Sequence, residues 1–267
     1  MSFPTPSNTA ERHALAGPRV SRDGAWNVPA ITARPGGPAE RVAARLSDHT
    51  AATIFMLVIL SGLATLAALS IGLGFLVTRV LVHAWGLGAA DERVNVWLAA
   101  HRDSTLGDAS LVGSIIAGGV VLPIIAGLLA LAFVAVRHWR LAAFTLFALG
   151  VESGSYRLTT LAVHRHRPSV PRLESLPANA SYPSGHTAAA IAVYGGLVVL
   201  LTSKLENGAL RAVAWTIAVA VPTYVAWARM YRGMHHPLDV AGGVVIGVLA
   251  LVVVVFASRA ADAAASR

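Results

Sequence analysis

The chain has 267 residues, of which 55% are hydrophobic and only 13% charged, against about 25% charged in an ordinary soluble domain. It has no cysteine, which excludes both a disulfide framework and a thiolate metal site. The formal net charge of +8 rests on arginine, because Lys204 is the sole lysine; such a basic, apolar chain points toward anionic lipid or a phosphorylated substrate. Nucleic acid is a poor fit, since no basic stripe is interleaved with aromatics.

Residues 1–48 are rich in Pro, Gly, Ser and Arg and lack apolar periodicity. They are expected to form a disordered cytoplasmic tail, dispensable for catalysis. The first apolar run begins too late for a signal peptide of about 15–30 residues. Residues 51–78 then carry no charge and exceed the roughly 20 residues that a spanning helix needs. Further spans are predicted over residues 110–136, 141–163, 186–202, 212–228 and 237–257. The composition therefore predicts an all-α, polytopic membrane protein with about six transmembrane helices. Its membrane domain is expected over residues 49–258, followed by a cytoplasmic tail at 259–267. The third span holds Glu152 and Arg157, which would also suit a transport pathway. In the loop 79–109, Val94, Trp97 and Leu98 fall on one helical face, as in an amphipathic helix at the interface or an ordinary connecting helix.

Arg12, Arg19, Arg22, Arg34, Arg41 and Arg45 place the N-terminal side in the cytoplasm by the positive-inside rule. The "RHWR" stretch (137–140), the loop 204–211 and the C-terminus follow it. The loops 79–109, 164–185 and 229–236 then lie outside. The last two are basic as well, a local exception that a phosphate site would explain. The bias toward Ala, Val, Gly and Arg suggests a high-GC bacterium, and so a bacterial cell membrane.

Three stretches on that outer face carry chemistry. "HRHRP" supplies Arg165 and Arg167; "PSGH" supplies Ser184, Gly185 and His186; "ARMYRGMHHPLD" supplies Arg229, His235 and Asp239. Arginine forks suit phosphate oxygens. Ser184 and the amides near Gly185 start a helix, where orphan donors favour an anion, and Gly185 permits close backbone approach. Two histidines can divide phosphoryl transfer between nucleophile and general acid. Asp239 lies one turn from His235 and can fix its tautomer, with His236 as a rival partner.

These stretches resemble the three signatures of the type 2 phosphatidic acid phosphatase (PAP2) superfamily of membrane lipid phosphatases, K-x6-R-P, P-S-G-H and S-R-x5-H-x3-D. Here they read Arg167-Pro168, Pro183-Ser184-Gly185-His186, and Arg229 with His235 and Asp239, and the family spacing selects His235 over His236. The resemblance implies a helical bundle in which His235 attacks phosphorus to form a phosphohistidine and Asp239 orients it. It implies that His186 protonates the leaving oxygen and then activates water, while Arg167, Arg229, Ser184 and Gly185 hold the phosphate. No cofactor and no metal are implied. The substrate would be a lipid phosphate, either an isoprenyl diphosphate or a phosphatidate-like lipid. The family lysine is replaced by Thr160 and its serine by Ala228; Arg157, one turn from Thr160, is the first candidate to supply the missing charge, with Glu152 as its competing partner. Two other functions fit the same residues: a phosphotransferase with an acceptor other than water, and a non-enzymatic lipid-binding or transport protein.

Overall fold

The computed structural model describes residues 28–267. A short 3-10 turn (Pro29–Ile31) precedes α1 (Pro38–Arg45). Helix α2 (Ala51–Phe75) is capped by the Thr50 side chain, which accepts from the Thr53 amide, and runs on through π-helical turns at Leu76–Ala84. Then come α3 (Gly88–Ala100), α4 (Ser104–Ile116), α5 (Val121–Ala135) and α6 (Trp139–Ala162). Helix α7 begins at Gly185, passes through a π-helical turn (Ile191–Gly195) and ends at Thr202. Helices α8 (Gly208–Tyr231) and α9 (Pro237–Ala265) complete the chain.

Four helices among the described residues are long and apolar enough to cross a membrane: α2 with its π-helical extension, α7, α8 and α9. Helices α4 and α5 form a fifth crossing bent by 45° at residues 117–120, where Gly118 and Gly119 weaken the helix. Helix α6 is long enough to cross, but Arg140, Glu152 and Arg157 lie within it. It packs between α2, α5 and α9, with Phe144, Val151 and Glu152 all buried. The crossings agree with the predicted spans, and the all-α membrane bundle with them. Large apolar side chains such as Leu60, Leu128, Leu131 and Val219 face outward, which suits hydrocarbon as surroundings and not water. The chain is an integral membrane protein.

Helix α9 is the central post. Gly242, Gly243, Gly247, Ala250, Val254 and Ala257 form its buried stripe, so its neighbours approach closely. A Cβ on Gly243 would sit 2.5 Å from the Ser184 carbonyl oxygen. Glycine there lets the start of α7 press against the start of α9, which brings two of the three motifs together.

Two boundaries differ from the sequence expectation. Residues 28–48 are not a disordered tail: Val28, Ala30 and Ile31 are buried with Leu141, Phe144, Leu200 and Ala257, and α1 packs on α9. Residues 1–27 of the expected tail lie outside the described residues. The expected C-terminal tail at 259–267 instead prolongs α9. Asp262 accepts from the Ala33 amide at 2.7 Å and pairs with Arg140 at 2.7 Å. Pro/Gly/Arg richness hid the first of these, although Pro38 at the first helical position and Glu40 in the first turn are helix-start signals.

Candidate active site

The helices bring the ends of α2, α6 and α8 and the starts of α4, α7 and α9 to one face. A cleft of about 300 Å³ opens there between the α4–α5 break, α6 and α7. Arg167, Gly185, His186 and His235 all line it, so four predicted site residues from three separate stretches converge.

His235 is 2% exposed, and its Nδ1 lies 2.7 Å from the Ser181 carbonyl oxygen. A carbonyl only accepts, so Nδ1 carries the proton and Nε2 keeps its lone pair. Burial, then the charge of Arg229, pushes the His235 pKa well below its ordinary value, against the pull of Asp239. The imidazole is therefore neutral near pH 7.

Asp239 does not orient His235 directly, contrary to expectation. Its Oδ2 lies 4.0 Å from His235 Nδ1, beyond hydrogen-bond range. Instead Oδ2 accepts from Ser181 Oγ at 2.6 Å and from the His236 amide at 2.8 Å. Ser181 thus transmits the influence of Asp239: its hydroxyl is held by the carboxylate while its carbonyl holds His235. His236 caps α9, with Nδ1 3.2 Å from Asp239 and Nε2 3.0 Å from Glu92. That engagement leaves His235, and not His236, on the cleft.

Arg167 donates Nε to the Pro177 carbonyl at 2.8 Å, Nη2 to Ala180 at 3.0 Å, and Nη1 to Met234. Two of its five N–H groups remain for a ligand. Burial, with Arg229 nearby, lowers its pKa. Arg229 is fully buried; its Nη1 donates to Ser114 and to Glu174, while Nε and Nη2 have no protein partner. Those two nitrogens form one edge of the guanidinium, the geometry that grips two phosphate oxygens at once. Burial alone would raise the Glu174 carboxyl, but Arg229, Ser114 and Arg232 outweigh it and hold it at about 2.

Ser184 is the N-cap of α7, but its hydroxyl pairs with Thr187 at 2.9 Å and its amide donates to the Asp239 carbonyl at 2.9 Å. Its hydroxyl is thus engaged within the first turn of α7, where the backbone amides around Gly185 have the geometry that suits an anion. A Cβ on Gly185 would meet the Tyr156 ring at 2.9 Å, so glycine here also makes room for an aromatic wall of the cleft. Arg157 is not brought into the site: it is exposed and absent from the cleft lining. It leaves Glu152 unpaired as well, since Glu152 is 1% exposed with Oε1 lacking any partner. Arg165 is also not a phosphate ligand. It bridges Asp239 and Asp91, and those carboxylates raise its pKa in spite of burial.

Helix α3 supplies residues that the sequence reading missed. Asp91 accepts from the Leu238 amide at 3.0 Å, and Asn95 donates to the His235 carbonyl at 2.9 Å. Asp91, Asn95 and Leu98 are buried, whereas Val94 and Trp97 are exposed, so the helix turns a polar stripe onto the motif loops. Asp91 and Asn95 stand one turn apart in a loop on the motif face, and that spacing is the signal that could have found them.

The PAP2 superfamily model matches residues 138–261. Over 75 residues the chain is 37% identical to an undecaprenyl-diphosphatase of Sulfolobus acidocaldarius; the match covers 28% of this chain and 32% of that protein, so it spans about a third of that relative's length. The fold is similar, at a TM-score of 0.62 and 23% identity, to a transmembrane PAP2 type phosphatidylglycerolphosphate phosphatase from Bacillus subtilis, covering 70% of this chain and 92% of the other. The stretch from residue 138 to residue 261, which carries all three motifs and every residue of the His235–Ser181–Asp239 chain, belongs to the PAP2 superfamily.

Proposed function

We propose that the chain is a membrane lipid phosphatase that removes a terminal phosphate from a lipid phosphate or isoprenyl diphosphate through a phosphohistidine. The observation that carries this reading is the bond from His235 Nδ1 to the Ser181 carbonyl, which leaves a neutral Nε2 lone pair for the cleft. Nε2 attacks phosphorus, and the P–O bond to the lipid breaks in line with it. His186, on the same cleft, gives its proton to the leaving oxygen. It then takes a proton from water, whose oxygen displaces His235 and releases inorganic phosphate. The free edge of Arg229, the two spare N–H groups of Arg167 and the start of α7 spread positive charge over the three equatorial oxygens. This arginine set supports metal-independent turnover.

Phosphate release from a lipid panel by purified protein in detergent tests the reading. Turnover should be vanadate-sensitive, persist in EDTA and vanish in His235→Asn. Transfer to added alcohols without hydrolysis would favour a phosphotransferase, and no turnover would favour a binding or transport role. We place the cleft on the extracytoplasmic face and both termini in the cytoplasm, supported by the arginines at 137, 140, 211, 259 and 267. A tag in the loop 164–185 should be reachable from outside intact cells; labelling only after lysis would reverse this topology.

A further inference from the structure

Glu152 has no role in the chemistry above. It lies on the wall of the same cleft, with Ser153 and Tyr156 beside it. Ser153 Oγ donates to Oε2 at 3.0 Å, which leaves Oε1 as a buried acceptor without a partner. Such an atom is costly to keep dry unless something donates to it. No basic side chain pairs with it among the described residues, and Arg157 points away.

Its depth matters. Glu152, Tyr156 and Thr160 succeed each other at one-turn intervals along α6, each about 6 Å apart along the axis. Tyr156 packs on Gly185, at the phosphate end. Glu152 therefore lies about one turn deeper into the membrane than that wall. Beside it the cleft is lined by Leu122, Pro123 and Leu149, which suit a lipid chain. The acceptor thus stands where the reacting headgroup passes into the tail.

We propose that Glu152 reads a free hydroxyl on the substrate next to the reacting phosphate. This rests on the phosphatase reading, with phosphate at His235. A hydroxyl can donate to Oε1. A hydroxyl can also accept from a protonated Oε1, so it matches the group in either form, whereas a methyl ether in its place cannot donate. The favoured substrate is then a phosphomonoester of a polyol-headed lipid, such as a glycerol phosphate with an unacylated hydroxyl.

Three probes separate the possibilities: 1-oleoyl-glycerol-3-phosphate, its 2-O-methyl ether, and farnesyl diphosphate. The wild type should show kcat/KM at least about 10-fold higher for the free hydroxyl than for the ether. In Glu152→Leu that ratio should fall toward unity. Glu152→Gln, whose amide oxygen still accepts, should keep part of it. Because the readout is a ratio within one preparation, partial misfolding does not move it. Equal treatment of hydroxyl and ether by the wild type would overturn the assignment. So would a parallel loss on all three probes in both variants. Turnover of none of them overturns the phosphatase reading itself, and this assignment with it.

Discussion

The Nδ1–H of His235 ends on a backbone carbonyl, so side-chain changes reach this histidine only through what positions Ser181. Ser181→Ala keeps the carbonyl but removes the hydroxyl that Asp239 holds at 2.6 Å. Loss of one such hydrogen bond costs about 1–2 kcal/mol, so kcat should fall roughly 5- to 30-fold with the protein still folded. Asp239→Ala also strips Arg165 of a partner in a buried site, at a cost of about 3–5 kcal/mol. It should therefore lower thermal stability as well as activity, and a stable, inactive Asp239→Ala protein would contradict this division. The pH dependence follows from the same histidine. Burial lowers its folded pKa, so the nucleophile stays neutral below its ordinary value of about 6.5. The acid limb of kcat/KM should lie well under pH 6.5. The unfolded chain binds this proton more readily than the folded one, so His235's share of stability is full above pH 6.5 and is lost as the pH falls below it. Arg157→Ala should leave kcat/KM within about 2-fold of wild type, as exposed substitutions away from special features do. A 10-fold loss would return Arg157 to the phosphate site.

At the scale of elements, the site depends on how closely α7 and α9 meet. Gly243→Ala would drive a methyl into the Ser184 carbonyl, 2.5 Å away. That carbonyl accepts from the Ala188 amide in the first turn of α7, so neither backbone can yield without moving the PSGH segment. Overpacking of this kind costs about 1–3 kcal/mol. Activity should drop further than stability, because the displaced atoms border His186. Unaltered turnover in a folded Gly243→Ala protein would show that the contact is not transmitted. The helices that meet here were legible from the sequence, since apolar run length and turn residues set the spans, and motif order placed Arg167, Gly185, His186 and His235 at one mouth. What was not legible is pairing. Nothing in the spacing of His235 and Asp239 reveals that Ser181 intervenes, because Ser181 reaches them only through the fold of the 164–185 loop. Helix α3 was found, but from its apolar face alone; only the packed structure shows Asp91 and Asn95 turned onto the motif loops. Arg157 failed for a related reason. Being one turn from Thr160 puts it near that helix face, but whether a face meets the cleft or lipid is decided by neighbouring helices.

Across the whole molecule, the end opposite the cleft is closed by the segment before α2. Val28 and Ile31 are each 3% exposed, and Arg259 Nε and Arg140 Nη2 donate to the Ala30 and Ile31 carbonyls at 2.8 and 3.0 Å. Asp262 holds the Ala33 amide. A truncation that begins at Asp48 would uncover Leu141, Leu200 and Ala257 and leave Asp262 with Arg140 alone. Burial of a Val or Ile side chain contributes about 1.5–3 kcal/mol, so the two together set a scale of roughly 3–6 kcal/mol as an upper bound. The truncated protein should therefore unfold at a clearly lower temperature in detergent. Asp262→Asn, which keeps an acceptor but loses the ion pair, should reproduce a small part of that shift. Catalysis should respond differently, because no residue of the cleft touches this end. At a temperature where the truncated protein is still folded, its kcat/KM should match that of the full chain. An unchanged melting temperature would mean that the docked segment adds nothing to the bundle. A normal melting temperature with lost turnover would mean instead that the segment communicates with the site through α9, the one helix that joins Asp262 at one end to Asp239 at the other.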